Sequence, residues 1–155
     1  METSLAANLA SVNWGLLGAG LVLGIAACGS GLGIGCCANA AIGAWKKCFI
    51  SNKAAPMTFL VFAGFPLTQT FYAFILMGQI KTAAFASPEN GLLYLAFSIF
   101  SGLAIGFTAF VQGKAGAFAC DALAETGKGF AQYISVIGIS EPVALFAMVL
   151  TMISL

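Results

Sequence analysis

The chain has 155 residues, of which 61% are hydrophobic and 7% are charged, and its formal net charge is +1. Soluble domains carry about 25% charged residues, so a soluble fold of this composition would have too few polar side chains to cover its surface. The near-neutral charge argues against a nucleic-acid partner. The lack of histidine argues against a zinc site and excludes a Ser-His triad within this sequence. The composition therefore predicts an integral membrane protein.

Charged residues divide the chain into four apolar segments, at about 14–45, 57–80, 92–119 and 130–155. Each segment is long enough to cross a hydrocarbon core of about 30 Å as a helix, which satisfies its own backbone in lipid. The first segment is the longest and should protrude, with Trp14 and Trp45 near the two interfaces. The predicted fold is an all-α membrane protein with four transmembrane helices in the lipid bilayer.

The distribution of lysine predicts the orientation. Five of the six basic residues lie in or beside the connections between segments 1 and 2 and between segments 3 and 4, namely Lys46, Lys47, Lys53, Lys114 and Lys128. The sixth, Lys81, lies between segments 2 and 3. By the positive-inside rule, the loops 46–56 and 114–129 are cytoplasmic, and both termini and the loop 81–91 are outside.

The two halves of the chain resemble each other. The hexapeptide at 30–35, Ser-Gly-Leu-Gly-Ile-Gly, agrees at five of six positions with the hexapeptide at 101–106, and Phe65-Pro66 aligns with Glu141-Pro142. This pattern predicts two tandem-duplicated hairpins, 1–85 and 86–155, within one membrane domain. The repeat is parallel, which argues against a transporter built from inverted repeats.

Glycines recur in the first segment at steps of four and seven residues, at Gly20, Gly24, Gly31 and Gly35. Small residues at this spacing let helix backbones approach closely. Two interpretations stay open: ordinary packing within one bundle, or a helix with close neighbours on two sides, as in a tight ring.

Glu141 is the one ionisable residue deep inside a segment, 11 residues into the fourth and thus about 16 Å from its cytoplasmic end. A carboxylate at this depth is costly and marks an ion or proton path by default. No lysine lies within a segment core to pair with it, which leaves a proton or a bound cation. The alternative is a protonated glutamate that only joins helices by hydrogen bonds.

Other polar side chains lie at similar depth. One face of the second segment carries residues at positions i, i+3, i+4 and i+7: Phe65, Thr68, Gln69 and Tyr72. Gln112 lies about seven residues from the cytoplasmic end of the third segment. Hydroxyl, amide and carboxylate oxygens suit hard cations, although Thr68, Gln69 and Gln112 could instead be polar contacts between helices.

One carboxylate with a monovalent ion makes a neutral site, whereas calcium sites usually hold more carboxylates. Na⁺ or H⁺ is therefore favoured, and the additional oxygens favour Na⁺. Pro66 and Pro142 each remove a helical hydrogen bond and should kink their helices. Helix geometry predicts that the carbonyls freed by these prolines are those of Phe62 and Gly138.

The run Pro-Leu-Thr-Gln-Thr-Phe-Tyr at 66–72, together with Gln112 and Glu141, resembles the K-ring (proteolipid, c-type) subunit of sodium-translocating V-type/A-type rotary ATPases over nearly the whole chain. The resemblance implies that Glu141 is the essential carboxylate and that Tyr72 locks it by a hydrogen bond. It implies one Na⁺ (alternatively H⁺) per chain, because Phe65 takes the place of Glu141 in the first half. The implied ligands are the side chains of Glu141, Gln112, Thr68 and Gln69 and the carbonyl of Phe65, where the family usually has leucine.

The resemblance also implies partners. Identical copies would form a ring in a prokaryotic cell membrane, with helices 1 and 3 inner and helices 2 and 4 outer. A stator subunit with an arginine and a central stalk on the cytoplasmic loops would complete the machine. This chain would be a non-catalytic subunit, since it has no P-loop. The alternatives are a proton-carrying ring, a stand-alone channel or transporter, and a scaffold proteolipid without a transport role.

Overall fold

A computed structural model describes residues 12–155, which are helical apart from turns and short connections. The chain crosses the bundle four times, and the second and fourth crossings are each built from two helices. The helices are α1 (Trp14–Ile50), α2 (Phe59–Gly64), α3 (Thr68–Ala86), α4 (Gly91–Thr126), α5 (Phe130–Gly138) and α6 (Glu141–Ile153). The four spans are Trp14–Ile50, Phe59–Ala86, Pro88–Thr126 and Phe130–Ile153, and each is long and apolar enough to cross a membrane. The prediction of an all-helical protein with four such spans is confirmed.

Two helices extend beyond their predicted ends. The sequence predicts ends near residues 45 and 119, but α1 continues to Ile50 and α4 to Thr126. Charged side chains indicate where a helix leaves the hydrocarbon, but they do not indicate where the helix ends, because lysine and glutamate are good helix formers. Instead α4 ends at Gly127, whose φ of 65° is the left-handed conformation favoured by glycine. The connections are therefore residues 51–58 and 127–129, compared with the predicted loops 46–56 and 114–129. Lys114, which was predicted to begin the second of these loops, lies within α4. The expected external N-terminus concerns residues 1–11, which lie outside the described residues.

Glycines bring α1 and α4 into contact at the centre of the bundle. A Cβ atom added to Gly29 would overlap the backbone of Gly106, and one added to Gly113 would overlap the backbone of Gly33. The two backbones are therefore closer than any larger residue at these positions would permit. The second and fourth spans pack around this central pair.

Two apolar clusters hold the four spans together, and in the second, third and fourth spans the polar side chains around Glu141 lie between the two clusters in sequence. One cluster includes Cys37, Phe59, Cys120 and Ile137, whose side chains are at most 1% exposed. The other includes Val22, Leu76, Ile80, Ile105 and Ala144, all fully buried. The polar layer is thus enclosed by apolar packing on both sides.

The second and fourth spans are interrupted at their prolines. After α2 ends at Gly64, a 3₁₀ turn runs over Phe65–Leu67 and α3 begins at Thr68. After α5 ends at Gly138, residues 139–140 form a turn and α6 begins at Glu141. Proline lacks the N–H that would continue the helical hydrogen bonds, and it is tolerated at the start of a new helix. Both breaks place a helix start in the interior of a span.

Candidate functional site

The side chains that the sequence singles out meet around the carboxylate of Glu141. Its Oε1 accepts hydrogen bonds from Thr68 Oγ1 at 2.6 Å and from the Tyr72 hydroxyl at 2.9 Å. Its Oε2 accepts from Gln112 Nε2 at 2.7 Å and from Gln69 Nε2 at 3.3 Å. An ionised carboxylate is purely an acceptor with about four lone-pair sites, so these four donors match its ionised form.

The two glutamine amides have fixed orientations. Both side chains are fully buried. Gln69 Nε2 also donates to Gln112 Oε1 at 2.9 Å, and Gln112 Nε2 also donates to the carbonyl of Ile137 at 3.3 Å. Each amide nitrogen therefore uses both of its hydrogens. Because Gln112 presents its nitrogen to Glu141, ligation of a cation through the Gln112 oxygen, as the resemblance implies, requires this amide to rotate.

Oxygen atoms cluster around the hydroxyl of Thr68. Thr68 Oγ1 lies 2.6 Å from Glu141 Oε1, 2.9 Å from the carbonyl oxygen of Phe65 and 3.1 Å from Gln69 Oε1. Its single hydrogen can satisfy one of these three acceptors at a time. Four oxygens that share one hydrogen, one of them on a carboxylate, are a ligand set suited to a hard cation.

The structure separates the carbonyls that the sequence suggested. The carbonyl of Phe65 faces Thr68 in the site, because the 3₁₀ turn brings it within reach. Phe62 belongs to an apolar cluster, and its carbonyl faces Gly116: a Cβ added to Gly116 would lie 3.1 Å from the carbonyl oxygen of Phe62. The Phe62 carbonyl therefore lies away from Glu141, and the carbonyl that the 3₁₀ turn brings into the site is that of Phe65. In the fourth span, the carbonyl that reaches Gln112 is that of Ile137, whereas geometry suggested Gly138.

Ile137 and Ser140 join the site without having been predicted. Ser140 Oγ donates to the Ile137 carbonyl at 2.7 Å. The sequence does carry one signal, since serine favours the position immediately before a helix and Ser140 precedes a Glu-Pro helix start.

The helix starts give the site a favourable field for an anion. Glu141 is the first residue of the 13-residue α6, and Thr68 is the first residue of the 19-residue α3. The N-terminal end of a helix carries partial positive charge. Among residues 12–155, the hydrogen bonds to Glu141 come from neutral groups. The ion pairs of this part of the chain join Lys47 to Asp121 at 2.5 Å and to Glu125 at 3.1 Å, outside the site.

Comparison with protein-family models gives no match, and comparison with curated proteins gives no relative. The residues of the site are therefore the basis on which a function can be proposed.

Proposed function

We propose that the chain is the ion-carrying rotor-ring subunit of a V-type rotary ATPase and that it carries one Na⁺ per chain at Glu141. One observation carries the proposal: a carboxylate in the interior of a membrane span accepts four hydrogen bonds from neutral donors and adjoins an oxygen cluster. An ionised carboxylate in lipid needs a counter-charge. A monovalent cation supplies that charge and leaves the site neutral.

Na⁺ is the cargo of this site. The ion would be held by the carboxylate of Glu141, the hydroxyl of Thr68, the side-chain oxygen of Gln69 and the carbonyl of Phe65, while the amide nitrogen of Gln112 holds Glu141 Oε2 in place. Tyr72 holds Glu141 Oε1 in place. In the proposed cycle, an arginine of a stator subunit attracts the carboxylate, the ion leaves, and another ion loads before the next step of rotation. A soluble ATPase head would couple these steps to ATP hydrolysis or synthesis.

Two faces of the central helices support a ring of identical copies. On the side of α1 away from α4, a Cβ on Gly20, Gly24 or Gly31 would meet no atom of the chain within 4 Å. On the side of α4 away from α1, Phe100 and Phe107 are 72% and 69% exposed. A flat surface and a bulky surface on opposite sides of one chain fit head to tail. Repetition of such a head-to-tail contact gives a ring when the rotation between neighbouring copies closes, as the proposal requires.

The broken spans support the proposed duplication and the count of one ion per chain. The second span breaks at Phe65–Leu67, which contains Pro66, and the fourth breaks at residues 139–140, just before Pro142 in the first turn of α6. Because Phe65 occupies the position that Glu141 has in the second half, the first half has no carboxylate at the matching position.

One end of the bundle supports the proposed docking of the central stalk. The two connections proposed to be cytoplasmic meet there, because Lys47 pairs with Asp121 and Lys53 Nζ donates to the carbonyl of Glu125 at 3.1 Å. A stalk subunit would therefore meet a surface built from both connections.

Labelling with a hydrophobic carbodiimide tests the proposal. The reagent reacts with protonated carboxyl groups, and Glu141 is half-buried and so retains some exposure to the reagent. We expect Glu141 to be modified in the purified protein and millimolar Na⁺ to suppress the modification, because the bound cation displaces the proton. Peptide mass spectrometry locates the labelled residue.

Two internal controls accompany this experiment. Asp121 and Glu125 are exposed, so any labelling of them should not respond to Na⁺. K⁺ at equal ionic strength should protect Glu141 much less than Na⁺ does. Labelling of Glu141 that ignores Na⁺ would contradict the sodium assignment and favour a ring that carries protons.

A further inference from the structure

The carbonyl of Ile137 is a shared acceptor at the break of the fourth span. It lies 2.7 Å from Ser140 Oγ, 3.4 Å from the Ser140 backbone nitrogen and 3.3 Å from Gln112 Nε2. The same Gln112 nitrogen donates to Glu141 Oε2 at 2.7 Å. A chain of hydrogen bonds therefore runs from Ser140 through Ile137 and Gln112 to the carboxylate.

We propose that Ser140 is a positioning residue of the cation site, an inference that rests on the proposed function. Ser140 does not hydrogen-bond Glu141 or the oxygens that would hold the ion. It fixes the Ile137 carbonyl, and that carbonyl fixes the Gln112 amide against Glu141. Ser140 thus governs how firmly the carboxylate is held at the start of α6.

The local backbone explains why this hydroxyl matters. Pro142 has no N–H, so the helical hydrogen bond to Gly138 cannot form. The nearby backbone bonds are long, with 3.4 Å from Ser140 N to Ile137 O and 3.3 Å from Val143 N to Ser140 O. Both backbone bonds lie beyond the common range for N–H···O bonds, whereas 2.7 Å is the ordinary length for a hydroxyl donor, so the Ser140 hydroxyl makes the shortest of the three contacts to the Ile137 carbonyl. The Ser140 hydroxyl is therefore a strong link across residues 137–140.

The second span contains a comparable link. Thr68 Oγ1 lies 2.9 Å from the carbonyl of Phe65, three residues earlier, as Ser140 Oγ lies beside the carbonyl three residues before it. A hydroxyl-to-carbonyl contact thus spans the break in each interrupted span. Thr68 also touches the carboxylate directly, whereas Ser140 acts through two intermediates.

Sodium binding to the purified full-length protein tests the proposal. We expect Ser140→Ala to weaken Na⁺ binding about tenfold, the effect of losing one buried hydrogen bond. Ser140→Thr, which keeps the hydroxyl, should restore affinity. The matched control is Ser135→Ala, which removes a 2.9 Å hydroxyl bond to the Ala131 carbonyl in the same span away from the site and should leave affinity unchanged.

A double-mutant cycle with Gln112→Ala separates positioning from a general weakening of the span. If Ser140 acts through Gln112, Ser140→Ala should change affinity less than about twofold in the Gln112→Ala background. Independent effects of the two substitutions would overturn the proposal, as would equal losses in Ser135→Ala and Ser140→Ala. A wild-type protein that binds no Na⁺ would instead overturn the proposed function, and the inference with it.

Discussion

Glu141→Gln should abolish Na⁺ binding while the protein still folds and assembles. The amide keeps the size of the side chain but removes the negative charge that neutralises the ion. Removing one partner of a buried ion pair costs about 3 to 5 kcal/mol, which corresponds to a loss of affinity of roughly 150-fold to 4,000-fold. Isothermal titration of the detergent-solubilised protein with NaCl measures the effect.

Glu89→Gln is the matched control for this substitution. Glu89 lies exposed in the turn Pro88–Asn90, outside the site. Its substitution therefore removes one negative charge from the protein without removing one from the site. We expect wild-type Na⁺ affinity in Glu89→Gln. Sodium binding that survives in Glu141→Gln, or that falls equally in both variants, would show that the carboxylate of Glu141 does not hold the ion.

Gly113→Val should strongly destabilise the chain itself. A Cβ on Gly113 would overlap the backbone of Gly33, and a backbone cannot move aside as a flexible side chain can. The α1 and α4 helices would have to separate along their central contact. Overpacking typically costs about 1 to 3 kcal/mol, and a clash with backbone belongs at or above the upper end of that range. Thermal unfolding followed by tryptophan fluorescence measures the loss, since Trp14 and Trp45 lie in α1.

Gly31→Val is the control, because it adds the same side chain on the opposite face of α1. A Cβ there meets no atom of the chain within 4 Å, so the unfolding temperature should stay near that of the wild type. The proposed ring predicts a second difference: Gly31→Val should hinder assembly, which native mass spectrometry would detect. Equal destabilisation by the two substitutions would contradict the assignment of Gly113 to the internal contact. Unchanged assembly in Gly31→Val would contradict the assignment of Gly31 to the contact between copies.

The sequence predicted the number of spans well because hydrocarbon thickness limits an apolar segment in a way that residue counting detects. It predicted the helix ends poorly. The helices continue to Ile50 and Thr126 because charged residues near the predicted ends indicate a passage from hydrocarbon to water, and the backbone stays helical through that passage. The left-handed Gly127 is a local signal for the end of α4.

The members of the site were also accessible from the sequence, because depth and helical spacing place Thr68, Gln69 and Gln112 level with Glu141. The directions of the hydrogen bonds were not accessible. Which way the Gln112 amide points depends on the carbonyl of Ile137, and that carbonyl is available because the fourth span breaks. Such a contact arises from tertiary placement and leaves no periodic trace in the sequence.

Direct measurement of radioactive sodium bound to the purified wild-type protein tests the central claim. The account predicts saturable binding of one Na⁺ per chain, lost after carbodiimide modification of Glu141 and little affected by K⁺. A wild-type protein with intact fold that binds no sodium, or that binds it equally well after Glu141 has been modified, would contradict the account.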